Sequence, residues 1–181
     1  MHTTPLRVGF VPGVEPDRFL RRWKSGHRDA WLELIPVPLS RQHAALTAGE
    51  VDMCFVRLPL VAEELHLVSL WEERAAIMVS SDNELSLLDE VGEEDLVGET
   101  EIPSTHLDDA ADRIAVVAAG VGFTRVPLSL ARLHHRKDAV SRPLRDAEPS
   151  RIALAWPRAA DDPVRQEFVG VVRGRTSRSS R

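Results

Sequence analysis

A permanently charged guanidinium, Arg57, follows the apolar run Val51-Asp-Met-Cys-Phe-Val56 and precedes Pro59. At such a position an arginine offers a planar fork of donors that suits a carboxylate. It serves equally as one half of a surface or inter-lobe ion pair. The loop Pro12-Gly13-Val14 and the hydroxyl of Ser40 follow two other apolar runs in the same way. Gly13 has a second reading as a turn glycine, and Ser40 as a helix N-cap. Other reactive residue types carry less. Cys54 lies inside an apolar run, where a thiol is a small hydrophobe rather than a nucleophile. His134 and His135 are adjacent, so on a helix they point in different directions, and no acidic or thiol partner stands at ligand spacing. No metal or cofactor is expected. His106, Asp108 and Asp109 could serve as acid or base, but a solvated helix start explains them too. There is no Gly-x-Gly-x-x-Gly, no P-loop and no local nucleophile–base motif, so no enzyme chemistry can be named.

These residues need elements to position them. Leu6 to Val11, Trp31 to Val37 and Val51 to Val56 read as strands. Between them, Pro16-Asp17 opens a helix bearing Phe19, Leu20 and Trp23 on one side, with Gly26 as its stop. A second helix runs from Arg41 to Ala48 and ends at Gly49. This β-α-β-α-β order argues for right-handed crossovers and a parallel sheet. In such sheets ligands gather at the carboxyl ends of the strands, where helix N-termini present free N–H groups that favour anions. Pro12, Gly13, Val14, Ser40 and Arg57 all fall at those ends.

Further along, Leu65 to Leu70 and Ala75 to Ser80 read as strands, followed by an acidic stretch, Asp82 to Glu101, with a short helix at Glu93-Glu-Asp-Leu-Val. Asp108 to Ala119 reads as a helix with Ile114, Val117 and Ala118 inward, stopped at Gly120-Val-Gly122. Phe123 to Val126 reads as a strand and Ser129 to Leu133 as a helix. Val140 to Arg145 and Arg151 to Trp156 close the strand set. Asp161-Asp162-Pro163 starts a final helix expected to bury Val164, Phe168 and Val171/Val172.

Composition sets limits. The chain has 181 residues, 43% hydrophobic and 28% charged, which suits one large domain or two small lobes. A single cysteine forbids an intrachain disulfide and fits a reducing compartment. No stretch approaches the roughly 18 apolar residues of a membrane span, and no leader pattern opens the chain, so a cytoplasmic protein is expected. From Glu63 to Arg113 there are 16 acidic residues against 2 basic ones, a surface that repels phosphates. Arg173 to Arg181 is a basic tail, read as a solubilising end or a contact for nucleic acid or a carboxylate-rich partner.

The ordered wording resembles the effector domain of LysR-type transcriptional regulators. The resemblance rests on Leu6-Arg-Val-Gly-Phe-Val-Pro-Gly13, Arg18-Phe-Leu-Arg-Arg-Trp23 and Leu32-Glu-Leu-Ile-Pro-Val37, then on Leu46, Gly49, Val51, Asp52, Val56, Arg57 and Pro59. Val116 to Pro127, Arg142 to Asp146 and Ile152 to Trp156 extend it over nearly the whole chain. It implies an α/β fold of two Rossmann-like lobes around a cleft, the type 2 periplasmic-binding-protein fold. Residues 1–73 would be the first part of lobe I, 74–143 lobe II, and 144–181 the return to lobe I with the tail. Lobe II reads as shortened between Leu96 and Ile114. The resemblance adds Ser104, Thr105 and Thr124 as the lobe II counterparts at the ligand, although Ser104 and Thr105 also read as helix caps. It implies a small-molecule effector, a carboxylate by the anion argument above, and a homodimer. Nothing before the first strand reads as a winged helix-turn-helix, so no direct DNA contact is expected from this chain. An enzyme on the same fold acting on a small organic acid, and an interaction protein with a disused cleft, are the other readings.

Overall fold

The structure is a computed structural model that describes residues 4–26 and 31–174. The basic tail from 175 onward lies outside the described residues. The chain divides into two compact units: the described residues of Met1–Trp71 with Ile152–Arg181, and Glu72–Arg151.

The first unit is a five-stranded sheet. Its elements are β1 (Leu6–Phe10), α1 (Asp17–Gly26), β2 (Leu32–Pro36), α2 (Gln42–Thr47), β3 (Met53–Leu58) and β4 (Leu65–Glu73). Later come β8 (Ser150–Pro157) and α5 (Pro163–Val172). The strand order is β2-β1-β3-β8-β4. β1 pairs in parallel with both β2 and β3, in registers that set Phe10 beside Pro36 and beside Phe55. Side chains alternate across the sheet as the pleat requires. Met53 and Phe55 of β3 join Ile152, Leu154 and Trp156 of β8 in one cluster, with Phe19 and Trp23 of α1 and Phe168 of α5. Cys54, Val56, Ala153 and Ala155 face the other way, onto Ala45 and Leu46 of α2. Both faces of β3 and β8 are therefore covered, which is why these strands read as unbroken apolar runs.

The start of α5 follows its sequence signal. Asp162 accepts a hydrogen bond from the Arg165 N–H at 2.8 Å, and Pro163 occupies the first turn. The buried face differs from expectation. Phe168, Val169 and Val172 are inside, while Val164 is 41% exposed. A proline-led first turn stands clear of the sheet, and the apolar stripe begins one turn later.

The second unit holds β5 (Ala75–Ser80), α3 (Ala110–Ala118), β6 (Phe123–Pro127), α4 (Leu128–Leu133) and β7 (Ala139–Pro143). The sheet order is β6-β5-β7, with both pairings antiparallel. Met78 packs against Ile114 and Val117 of α3 and Leu130 of α4, and Ile77 and Val79 face a second cluster around Leu85, Val91 and Leu96. The acidic stretch forms two 3-10 turns, Glu84–Leu87 and Glu93–Leu96. From 97 to 109 there is no regular helix or strand, only a bridge between Glu101 and Phe123.

Candidate functional site

In the first unit the parallel registers bring three strand ends together. Val37 N–H donates to Phe10 O at 2.9 Å and Val11 N–H to Phe55 O at 3.1 Å. This places Pro12-Gly13-Val14, the 3-10 turn Leu39–Arg41 and Arg57 at one end of the sheet. Gly13 turns the chain with φ of 93°, a backbone region that suits glycine. The Val14 side chain is buried in the core beside Phe19, so this residue offers its backbone rather than its side chain. Ser40 is exposed and sits inside the 3-10 turn. It is not the cap of α2: Arg41 holds that position, without a side-chain cap bond. The expected single helix from Arg41 to Ala48 is a 3-10 turn followed by a six-residue α-helix, and the break moves Ser40 off the cap.

Arg57 is buried, with 7% of its surface exposed. Its Nη2 donates to Pro12 O at 3.1 Å, which joins two of the sequence candidates. Gln42, also 7% exposed, meets the Arg57 backbone twice. Its Nε2 donates to Arg57 O at 3.0 Å, and its Oε1 accepts from Arg57 N–H at 2.9 Å. Gln42 is absent from the sequence candidates. Its one signal was a polar side chain on the inward side of a short alanine-rich helix.

In the second unit Ser104, Thr105 and Thr124 are joined through Asp109, read from the sequence as a possible acid or base, and Arg113, which sequence reasoning did not select. The Asp109 carboxylate accepts from Thr105 N–H at 2.8 Å, His106 N–H at 3.1 Å and Arg113 Nε at 2.7 Å. Ser104 Oγ lies 3.1 Å from it. Arg113 Nη1 donates to Thr124 Oγ1 and, at 2.9 Å, to Arg125 O. Thr124, fully buried, donates onward to Ile102 O at 2.7 Å. Neither Ser104 nor Thr105 caps α3. The loop instead winds around Asp109, which is not a solvated helix-start residue: its side chain is 13% exposed. Burial pushes the Asp109 carboxyl up, but Arg113 and the two loop N–H groups bring it down to about 2. A carboxylate so weakly basic and so fully engaged is a poor general base. Among the described residues no three His, Cys, Asp or Glu side chains gather as metal ligands. Also among them, no helix is long and apolar enough to cross a membrane.

The family model described as LysR substrate binding domain matches residues 2–102. The Hca operon transcriptional activator HcaR of Escherichia coli (strain K12) is 22% identical over 200 residues, covering 94% of this chain and 67% of that protein. The effector binding domain of BenM, solved with its effector benzoate, superposes with a TM-score of 0.75 at 20% identity. That match covers 96% of this chain and 95% of the BenM domain. The regulatory domain of a Pseudomonas aeruginosa OxyR mutant gives 0.72 at 19% identity, covering 94% of this chain and 97% of that one. The two-sheet α/β architecture is thus that of the type 2 periplasmic-binding-like effector domains. With the family model matching more than half of its length, the chain belongs to the LysR substrate-binding domain family.

Proposed function

We propose that this domain senses a small carboxylate, taken up at the carboxyl ends of β1, β2 and β3 in the first unit, and that it does so without turning the ligand over. Arg57 is the primary contact, with Ser40 and the backbone of Pro12, Gly13 and Val14 beside it. The observation that carries this reading is the buried guanidinium of Arg57, fixed against Pro12 O at the strand ends. A carboxylate matches the planar donor fork that arginine presents. The family supplies the sensing role, and BenM, whose domain was solved with benzoate, supports a carboxylate as the class. The domain acts in the cytoplasm as a homodimer within a transcriptional regulator, a reading supported by family membership.

The test is a thermal-shift screen with benzoate, succinate, amino acids and sugar phosphates. A ligand at about a hundred times its Kd stabilises the fold by about 2.7 kcal/mol, a rise of several degrees. A saturable shift confined to carboxylates, with the compound recovered unchanged, supports the proposal. Turnover of the compound, or a response only to sugar phosphates, overturns it. Light scattering that finds only monomer overturns the dimer.

A further inference from the structure

We propose that Gln42 is the positioning residue of the effector site: it holds the Arg57 backbone so that the guanidinium stays aimed, and affinity for a carboxylate passes through it. The inference rests on the proposal that Arg57 binds the effector. Gln42 spends its side-chain amide on one residue. The donor half meets Arg57 O and the acceptor half meets Arg57 N–H, at 3.0 and 2.9 Å. A primary amide carries a donor and an acceptor side by side at any pH, which a carboxyl does only when protonated. The pairing copies one rung of a β-ladder and lies at the end of β3, one residue before Leu58 closes the strand. It closes a chain of contacts: α2 holds the Arg57 backbone, and the Arg57 side chain holds Pro12 O at the end of β1. A ligand that engages Arg57 needs this geometry in place beforehand, because freedom at the guanidinium must otherwise be lost on binding. Both Gln42 amide groups are withdrawn from water with the residue 7% exposed, so removing one leaves a buried Arg57 group without its partner.

The experiment is isothermal titration of the folded domain with benzoate and with succinate, at about pH 7 and about pH 5. Variants Gln42→Leu, Gln42→Glu, Arg57→Gln and the Gln42→Leu/Arg57→Gln double are compared with the parent, each checked for the parent's circular dichroism. Gln42→Leu is expected to weaken binding about tenfold or more at both pH values. Gln42→Glu keeps the shape and the acceptor, but its carboxyl donates to Arg57 O only when protonated. Burial and the facing Arg57 O raise that carboxyl above the ordinary glutamate range, so the variant is expected to bind weakly at the higher pH and to recover at the lower one, relative to the parent under the same conditions. That ratio also removes any contribution from the neighbouring His43–Glu64 pair. In the Arg57→Gln background, Gln42→Leu is expected to cost nothing further, since its effect runs through Arg57. A parent that binds with Gln42→Leu unchanged, losses that add in the double variant, or no recovery of Gln42→Glu overturns the positioning role alone. A parent that binds neither compound overturns the effector reading and the positioning role with it. If Gln42→Leu does not fold, the pH recovery of Gln42→Glu decides.

Discussion

The Asp109 carboxylate and the Arg113 guanidinium, one helical turn apart, meet through Oδ1 and Nε at 2.7 Å with side chains only 13% and 11% exposed. This pair gives the irregular stretch before α3 its shape, because the same carboxylate gathers Ser104, Thr105 and His106. Replacing Asp109 by Ala strands the Arg113 charge and two backbone donors. The expected loss is about 3 kcal/mol, because removing one partner of a nearly buried ion pair leaves the other uncompensated. Asp109→Asn, which keeps one acceptor oxygen, is expected to cost less. Urea unfolding of the two variants against the parent measures both.

The same carboxylate sets an acid limit. Its folded pKa of about 2 lies below the ordinary aspartate value of about 3.9. The stabilisation it gives is therefore complete above about pH 4 and is lost as pH falls toward about 2. Asp52 acts in the same direction in the first unit. Partial burial raises its carboxyl, but the Arg7 side chain and backbone N–H, with Arg165, outweigh this and leave it lowered. Melting temperature should hold level above about pH 5 and fall below about pH 4. In Asp109→Asn the acid fall should be shallower, and an acid profile identical to the parent's would contradict the assignment.

Gly122 should be almost irreplaceable, while Gly120, two residues earlier, should not be. Gly122 has φ of 56°, and a Cβ built there would lie 1.8 Å from Thr100 O. That approach permits Phe123 N–H to reach Thr100 O at 2.8 Å and Ile102 N–H to reach Phe123 O at 2.8 Å. Gly122→Ala is expected to cost at least about 3 kcal/mol, or roughly 10 °C in Tm. Gly120, at φ of 98°, has nothing within 4 Å of a Cβ, so alanine there meets only backbone strain of about 1–3 kcal/mol. Thermal melts of the pair check the ranking.

Much of this organisation was legible in the sequence, and its failures share a physical cause. The β1-α1-β2-α2-β3 order could be read because each element carries its own period and is closed by Pro12-Gly13, Gly26 or Gly49. The Asp162-Pro163 start was legible because capping is local. The Asp109 hub was not. Its partners are backbone N–H groups of a loop, and such contacts impose no repeat on the side chains. The pairing of Gln42 with Arg57 joins residues 15 positions apart and leaves no local trace. The cap reading of Ser40 failed because a serine before a helix signals a cap, yet here Ser40 lies inside a preceding 3-10 turn and Arg41 takes the cap position.

Cys54 should be chemically silent in the native domain. It is fully buried on β3, and burial pushes its thiol up to about 12. A thiol reagent is expected to leave it unmodified in buffer and to modify one thiol per chain after denaturation. Rapid modification of the folded domain would contradict the burial of this face of the sheet.

Thermal shift of the parent and of Arg57→Gln against benzoate and succinate decides whether Arg57 receives a carboxylate. A saturable rise of several degrees in the parent, absent from a folded Arg57→Gln variant, is the predicted result. A parent that does not respond to either compound, or a variant that responds equally, would contradict it.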